Sequence, residues 1–326
     1  NYYVIKFIMR KKIEALSVIM SVKNGEKFLH KAIDSVLNQT FKNFEFVIIN
    51  NDSSDSTQEI LENFIKKDSR IKILTNFNNE TLYQARIKAI KEAKYEWCAL
   101  MDADDECHPL RFQKQVDFIN YTEFENLAVV STYGKYINKN STTVANFFSG
   151  PKDINQFKNI FSNNDSFAII DPSSIIKKDI FFKIGGYLEN NIAADLDFYY
   201  KIAEAGYLIQ TIASPLYYYR IHGGGYSVKN TMKQCKATHF LNYNMRLRRS
   251  GKEEITEQQF NINFWNKASY RIPRKILDYS KTYYKISTHS FIEKKIFTFF
   301  LNIILAFLFS PRYVLKKIYQ QLFKRI

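Results

Sequence analysis

Strand-like and helix-like segments alternate four times between residues 15 and 101, and this alternation restricts the fold more than any other feature of the chain. The four apolar segments of strand length are residues 15–21, 44–49, 71–74 and 97–101, and the segments between them carry apolar residues at helical spacing. Such alternation is typical of a parallel sheet covered by helices on both faces. We therefore expect an α/β fold with a mostly parallel sheet.

Polar residues stand where these strands end. They are Ser21, Asn24, Asn50, Asn51 and Asp102. Because the carboxyl ends of parallel strands meet at one edge of the sheet, and ligands of such folds bind beyond that edge, we expect these residues to line a binding site.

The fourth strand ends in three carboxylates within four residues, Asp102, Asp104 and Asp105. Carboxylates this close repel one another unless a cation or water separates them. In an extended chain Asp102 and Asp104 would point the same way, where they could hold Mg²⁺ or Mn²⁺ on a substrate diphosphate. The alternative is a solvated turn before a helix that begins at Pro109.

Charge and cysteine content limit the binding partners of the protein and the redox state of the compartment in which it works. Lys and Arg number 47 against 32 Asp and Glu, and this net charge of +15 predicts nucleic acid, acidic lipid or phosphorylated substrates as partners. Cys98, Cys107 and Cys235 lack Cys-x-x-Cys spacing, which argues against a disulfide framework or a zinc site and favours a reducing compartment. The first residues contain no long apolar segment, so we expect no secretory signal.

Seven stretches of the sequence resemble the family 2 glycosyltransferases of GT-A fold, in the family's order over about residues 15–225. They are 17–24 (SVIMSVKN), 33–40 (IDSVLNQT), 85–86 (AR), 100–105 (LMDADD), 185–187 (GGY), 194–197 (ADLD) and 219–222 (YRIH). The resemblance implies a Rossmann-like GT-A domain. It also implies an inverting transfer of a sugar from a nucleotide diphosphate to a hydroxyl, with Mn²⁺ or Mg²⁺ as cofactor.

The resemblance also implies roles for individual residues. Asp104 is the expected metal ligand, together with Asp102, which would also contact the donor ribose. His222 could complete the metal site or touch the diphosphate, and Gly223–Gly225 would let a loop close over the donor. Asp195 is the expected catalytic base, with Asp197 as the alternative. The residues expected to bind the nucleotide sugar are Ser21, Asn24, Asn50, Asn51, Arg86, Asp102 and Ala103.

The sequence departs from the family pattern at the predicted donor pocket. Asn50 stands where the family usually has an Asp that accepts a hydrogen bond from uracil N3–H. Because an amide can either accept or donate, uridine stays the expected base, but a base with an acceptor at that edge is an alternative. Four further positions also differ from the usual residue: Ser21 replaces Pro, Lys23 an aromatic residue, Thr81 a Gly, and Ala194 a Glu.

The chain divides by pattern into four parts. We expect an N-terminal extension (1–14), a glycosyltransferase domain (15–226, with a nucleotide-sugar half at 15–105 and an acceptor half at 106–226), a helical extension (227–290) and a basic tail (291–326). Residues 296–309 are nearly all apolar but fall short of the roughly 20 residues of a spanning helix. The tail therefore predicts amphipathic helices on an anionic membrane surface, with a core helix or a dimer contact as the alternative.

The leading functional hypothesis is a bacterial-type, metal-dependent glycosyltransferase that uses a UDP-sugar and builds a surface glycan on a glycan or lipid-linked acceptor. We expect it in the cytoplasm, peripherally bound to the inner face of the cytoplasmic membrane, with no nucleic acid partner and with an oligomer as an open alternative. A sugar nucleotidyltransferase is a second hypothesis, which the lack of a glycine-rich phosphate loop after the first strand disfavours. A non-catalytic basic protein that binds membrane or nucleic acid is the third, and it leaves the aspartates unexplained.

Overall fold

A computed structural model describes residues 12–323 except 77, 79, 164–166, 168, 190, 223–224 and 226–229. Most of the expected N-terminal extension, and Gly223 and Gly224 of the expected flexible loop, lie outside the described residues. The chain forms two compact units. The first contains the residues up to Lys135, Asn146–Asn190 and Phe198–Tyr219, and the second contains Tyr136–Ala145, Asn191–Asp197 and Arg220–Ile326.

Four parallel strands form one half of the sheet: β1 (Leu16–Val22), β2 (Phe44–Asn51), β3 (Ile71–Asn76) and β4 (Trp97–Asp102). They lie in the order β3-β2-β1-β4, with β1 paired in parallel to both β2 and β4. Every residue of β1 is buried, as expected for a strand covered on both faces. The predicted α/β fold is confirmed in this half.

The other half of the sheet is mixed. Its strands are β5 (Glu106–Cys107), β6 (Leu127–Ile137), β7 (Thr143–Phe147), β8 (Ile175–Lys177) and β9 (Leu208–Arg220). The order continues β4-β8-β6-β9-β5, and β8 runs antiparallel to both β4 and β6. The proline at position 215 predicts two short strands, residues 207–212 and 216–220, but this prediction is wrong, because β9 is a single strand that continues through Pro215. Pro215 is exposed, and a strand tolerates proline where no ladder hydrogen bond is needed.

Among the described residues, seven helices belong wholly or mainly to the first unit: α1 (Leu29–Leu37), α2 (Thr57–Ile65), α3 (Leu82–Lys91), α4 (Arg111–Tyr121), α5 (Ile154–Ser162), α6 (Lys178–Lys183) and α7 (Ala194–Glu204). The prediction that α4 begins at Pro109 is wrong by one half turn, since the carbonyl of Pro109 instead accepts a hydrogen bond from Thr40 N–H at 2.9 Å. Thr81, where the family usually has Gly, caps α3, and its hydroxyl also donates to the carbonyl of Glu189 at 2.7 Å.

The second unit is built mainly from helices: α8 (Thr231–Arg249), α9 (Glu257–Phe260) with the π-helical turn Asn261–Trp265 behind it, α10 (Ala268–Ile292), α11 (Ile296–Phe309) and α12 (Pro311–Phe323). The predicted helical character of the C-terminal part is therefore confirmed. No single described helix has both the length and the apolar character to cross a bilayer. Helices α11 and α12 meet these two criteria only when they are taken together, and the chain bends by 119° between them.

Candidate active site

The sheet register brings the predicted polar residues together at one edge. Ser21 of β1 lies opposite Asp102 of β4, and Val22 lies opposite Asn50 of β2. Asn51, the last residue of β2, lies opposite Asn76 at the end of β3. The expectation that these residues share the carboxyl edge of the parallel strands is confirmed, although Asn50 and Asn51 belong to β2 itself rather than to the loop after it.

The three aspartates after this edge converge. Asp102, Asp104 and Asp105 each offer a carboxylate oxygen, and these oxygens lie within 4.8 Å of one another. The prediction that Asp102 and Asp104 alternate along an extended chain is wrong, because β4 ends at Asp102 and a turn follows. Ligand oxygens around Mg²⁺ at about 2.1 Å are roughly 3–4 Å apart, so a small adjustment of this all-oxygen set fits such an ion. Asp105, which we did not assign to the metal, belongs to the cluster.

Tyr217 of β9 fixes the conformation of the acidic turn. Its hydroxyl donates to Oδ2 of Asp105 at 2.7 Å and accepts from the backbone N–H of Asp102 at 3.3 Å. Burial and the neighbouring Asp105 carboxylate raise the pKa of Tyr217 well above its ordinary value, which keeps the hydroxyl protonated and able to donate. Sequence reasoning missed this residue, since its aromatic run gave no sign of a partner more than 100 positions away.

Arg86 of α3 is buried between two carboxylates. One terminal nitrogen donates to Asp102 and the other to Asp171, which lies in a single 3₁₀ turn, Asp171–Ser173. Burial works against the charge of Arg86, but the two carboxylates outweigh it and raise its pKa well above the ordinary value. The side chain of Asp102 keeps 27% of its surface exposed. Even so, burial raises the pKa of Asp102 to about 6, with Arg86 opposing that rise and Asp104 adding to it.

Asp171 is the residue that holds this arrangement in place. Its Oδ1 accepts hydrogen bonds from the hydroxyls of Tyr187 at 2.8 Å and Tyr199 at 2.7 Å, while its Oδ2 accepts from Arg86. Arg86 is therefore shared between Asp171 and one oxygen of Asp102. We expected Arg86 to contact a donor diphosphate or base, and that contact stays a prediction. No local sequence pattern indicated Asp171, because its partners are distant along the chain.

We expect Arg86→Met to lower the free energy of unfolding by about 3–5 kcal/mol, because it leaves the buried carboxylate of Asp171 and the partly exposed carboxylate of Asp102 without their cation. The control is Lys72→Met, which removes the exposed ion pair between Lys72 and Glu92 at 3.1 Å and should cost about 1 kcal/mol or less. Urea denaturation followed by circular dichroism measures both. Equal losses of unfolding free energy in the two variants would mean that the buried ion pairs of Arg86 stabilise the fold no more than an exposed ion pair does.

Asn24 joins the loops that follow β1 and β2. Its backbone N–H donates to Ser53 Oγ at 3.0 Å, and its Oδ1 accepts from the N–H of Ser54 at 2.8 Å. The residue has a φ of +52°, a left-handed conformation that Asn adopts more readily than most residues. The structure gives Asn24 this bridging position, and its contact with a donor stays a prediction.

The amide of Asn50 is oriented by its neighbours. Its Nδ2 donates to Gln58 Oε1 at 2.8 Å, and Gln58 Nε2 donates to Glu62 Oε1 at 2.9 Å. An ionised carboxylate can only accept, so Gln58 turns its NH₂ group toward Glu62 and its oxygen toward Asn50. Asn50 is 4% exposed, and its Oδ1 has no hydrogen-bond partner among the described residues. The atom that Asn50 can offer to a ligand is therefore an acceptor.

Asn51 is engaged within the protein. Its Nδ2 donates to the carbonyl of Glu80 at 2.7 Å, and its Oδ1 accepts from Asn76 Nδ2 at 2.8 Å. These bonds hold the connection from β3 to α3. Its neighbours in the predicted pocket, the buried Ser21 and the half-buried Ala103, lie at the same sheet edge, and the donor contacts of all three stay predictions.

The structure describes Asp195 and His222 in the second unit, and both are half-buried. Asp195 lies in the first turn of α7, as expected. Asp197, our alternative base, is buried and forms an ion pair with Arg248 at 3.2 Å, which is a structural role. The roles of Asp195 as base and of His222 as metal ligand stay predictions.

Comparison with known proteins decides the family. Residues 17–185, just over half of the chain, match the model for "Glycosyl transferase family 2". The chain belongs to this family. The enzyme is therefore a glycosyltransferase, as predicted, and the nucleotidyltransferase and non-catalytic alternatives are set aside.

Individual relatives agree with this assignment. The chain is similar to the O-antigen biosynthesis glycosyltransferase WbnJ of Escherichia coli, with 29% identity over 70% of this chain and 93% of the relative. It is also similar to the Escherichia coli UDP-Glc:alpha-D-GlcNAc-diphosphoundecaprenol beta-1,3-glucosyltransferase WfaP, with 26% identity over 70% of this chain and 86% of the relative. Among solved structures, S. aureus TarS 1–349 in complex with UDP-GlcNAc shares the fold, with a TM-score of 0.59, 17% identity and 89% of each chain covered. The predicted GT-A fold is confirmed.

Proposed function

We propose that this glycosyltransferase moves a sugar, with inversion, from a UDP-sugar to a hydroxyl of a glycan or lipid-linked acceptor during the synthesis of a surface polysaccharide. The observation that carries the proposal is the convergence of three aspartates within 4.8 Å at the carboxyl edge of the parallel strands. The names of the relatives support the substrate classes, because WbnJ is an O-antigen enzyme and WfaP uses UDP-Glc and a diphosphoundecaprenol acceptor. The three free cysteines fit work in the cytoplasm.

The donor diphosphate would be held at the acidic turn. We assign Asp104 and Asp102 to a Mn²⁺ or Mg²⁺ ion, with Asp105 and His222 as further candidates. The bound ion would neutralise the charge that develops on the departing diphosphate. Since Arg86 engages one oxygen of Asp102, the other oxygen is the one available to the ion or to the donor ribose. Asp171 and Tyr217 keep the aspartates in place for this task.

The acceptor hydroxyl needs a base, and we assign Asp195 to that role. A carboxylate in the first turn of a helix is stabilised in its ionised form by the helix dipole, so it can accept the proton as the hydroxyl attacks the sugar. Asp197 is a weaker candidate because its carboxylate is buried against Arg248.

The orientation of Asn50 supports a nucleobase that presents a hydrogen-bond donor at this edge. The Asn50 amide oxygen is positioned to accept a hydrogen bond, which suits the N3–H of uracil and also the N1–H of guanine. The corresponding edges of cytosine and adenine present a ring nitrogen that can only accept a hydrogen bond. That nitrogen would face the Asn50 oxygen, which is also an acceptor, and no hydrogen bond would form between them. This disfavours the alternative of a nucleobase that presents an acceptor at that edge.

A donor panel scored by nucleotide release tests the proposed function. UDP-, GDP-, CDP- and ADP-sugars are incubated with the enzyme, Mn²⁺ and a lipid-linked oligosaccharide acceptor, with and without a chelator. We expect the highest kcat/KM with a UDP-sugar and loss of turnover when the ion is chelated. Turnover that is indifferent to the chelator would contradict the metal assignment, and absence of turnover with every donor would contradict the function.

Substitution of Asn50 tests the base contact directly. We expect Asn50→Leu to raise the KM for the UDP-sugar about tenfold, because it removes one hydrogen bond to a buried group, whereas Asn50→Asp keeps the acceptor and the affinity. Gln58→Glu is the control, since it preserves an acceptor facing the Asn50 NH₂ group. Equal KM values for Asn50→Leu and the wild type would mean that the nucleobase does not contact Asn50.

A further inference from the structure

Helix α11 exposes several large apolar side chains on one face. Phe297 is 81% exposed and Leu308 is 72% exposed. With Phe300, Leu301 and Ile304 these residues recur at helical spacing, and together we call them the tail face. Large exposed apolar patches mark surfaces that bind a partner or a membrane.

Packing within the second unit sets the direction of this face. Asn302 and Ala306, on the opposite side of α11, are buried. The Ser280 hydroxyl of α10 donates to the carbonyl of Ala306 at 2.7 Å, and the ring of Phe309 lies 5.3 Å from that of Tyr279. Because the opposite side of α11 packs against α10, the tail face points away from α10.

Helix α12 also exposes apolar side chains. Val314 is buried, whereas Leu315, Ile318 and Tyr319 are exposed. Leu315 and Tyr319 are four positions apart and Leu315 and Ile318 are three apart, so all three lie on one side of this helix.

Basic residues border the apolar surface. Lys294 and Lys295 precede α11, and Arg312 and Lys316 lie on α12, and all four are exposed. From residue 289 onward the sequence has seven Lys or Arg and a single acidic residue, Glu293, which forms an ion pair with Lys295 at 2.6 Å. The border of the tail face therefore carries a positive charge.

We propose that the tail face lies in the interfacial plane of a bilayer that contains anionic lipid. The apolar side chains enter the boundary between headgroups and acyl chains, and the four bordering cations contact lipid phosphates. A second copy of the chain fits less well, because a two-fold contact through this surface would bring the same positive charges against each other. A spanning arrangement fits less well too, because α11 has 14 residues and α12 turns away from it by 119°.

Sedimentation with lipid vesicles tests the proposal on the full chain. We expect binding to vesicles of phosphatidylcholine with 30% phosphatidylglycerol, and binding at least about tenfold weaker to phosphatidylcholine alone or at high salt. The triple variant Phe297→Ser, Ile304→Ser, Leu308→Ser should lose at least about tenfold in apparent affinity. A control triple variant at exposed apolar residues elsewhere, Ile65→Ser, Phe182→Ser and Ile262→Ser, should bind like the wild type.

A charge variant and two further measurements separate the alternatives. Replacement of Lys294, Lys295, Arg312 and Lys316 by Gln should abolish the preference for anionic vesicles. Vesicle binding that the tail triple variant leaves unchanged would overturn the proposal. A dimer in sedimentation velocity that the same triple variant dissociates, without vesicle binding by the wild type, would assign the face to a second copy. Resistance of the bound protein to a sodium carbonate wash would indicate a spanning pair instead.

Discussion

Asp195→Asn is expected to lower kcat by about 100- to 10,000-fold while the Kd for the UDP-sugar stays within about twofold, because the amide cannot take the proton of the acceptor hydroxyl. Stopped assays of sugar transfer give kcat, and calorimetry gives the donor affinity. The two readouts together separate loss of the base from loss of the binding site.

The control for this variant is Asp179→Asn. Asp179 is an exposed acidic residue in the first turn of α6, so it matches Asp195 in helix position and chemistry. Its substitution should leave kcat unchanged. If Asp195→Asn also turned over at the wild-type rate, the base would have to be another residue, and Asp197 would be tested next despite its ion pair with Arg248.

Asp104→Asn is expected to weaken Mn²⁺-dependent binding of UDP by at least about a hundredfold, since loss of a direct ligand should exceed the 10–100-fold cost typical of losing an outer-shell partner. Calorimetric titration of UDP with and without Mn²⁺ measures the effect. The wild type should bind UDP much more tightly with the ion, and the variant should bind it weakly under both conditions.

Asp34→Asn provides the matched control, because Asp34 is exposed on α1 and lies outside the aspartate cluster. It should retain the full dependence on Mn²⁺. A similar fall in both variants would point to a general effect of net charge on the binding of an anionic nucleotide. No fall in Asp104→Asn would remove Asp104 from the ion site.

The parallel half of the sheet and the shared edge of its polar residues could be predicted from sequence, because both depend on local patterns. Buried parallel strands read as short apolar runs, and their ends read as abrupt changes to polar residues such as Asn50 and Asp102. The antiparallel half has weaker local signals. The two-residue strand β5 has no recognisable pattern, and the proline inside β9 gave the appearance of a strand end.

The internal support of the site could not be predicted, because it depends on contacts between residues distant in sequence. Asp171 meets Arg86 across 85 positions and Tyr217 meets Asp105 across 112. No local pattern records such pairs. The orientation of the Asn50 amide likewise depends on Gln58 and Glu62, whose spacing of four on α2 would otherwise suggest an ordinary helix-surface contact.

Anomalous diffraction from crystals soaked with Mn²⁺ and UDP tests the central claim most directly, because it locates the ion and its ligands together. We predict one manganese peak bound by carboxylate oxygens of Asp104 and Asp102 and by the diphosphate of UDP. A nucleotide bound with no manganese at these aspartates, or manganese bound elsewhere with the diphosphate, would contradict it.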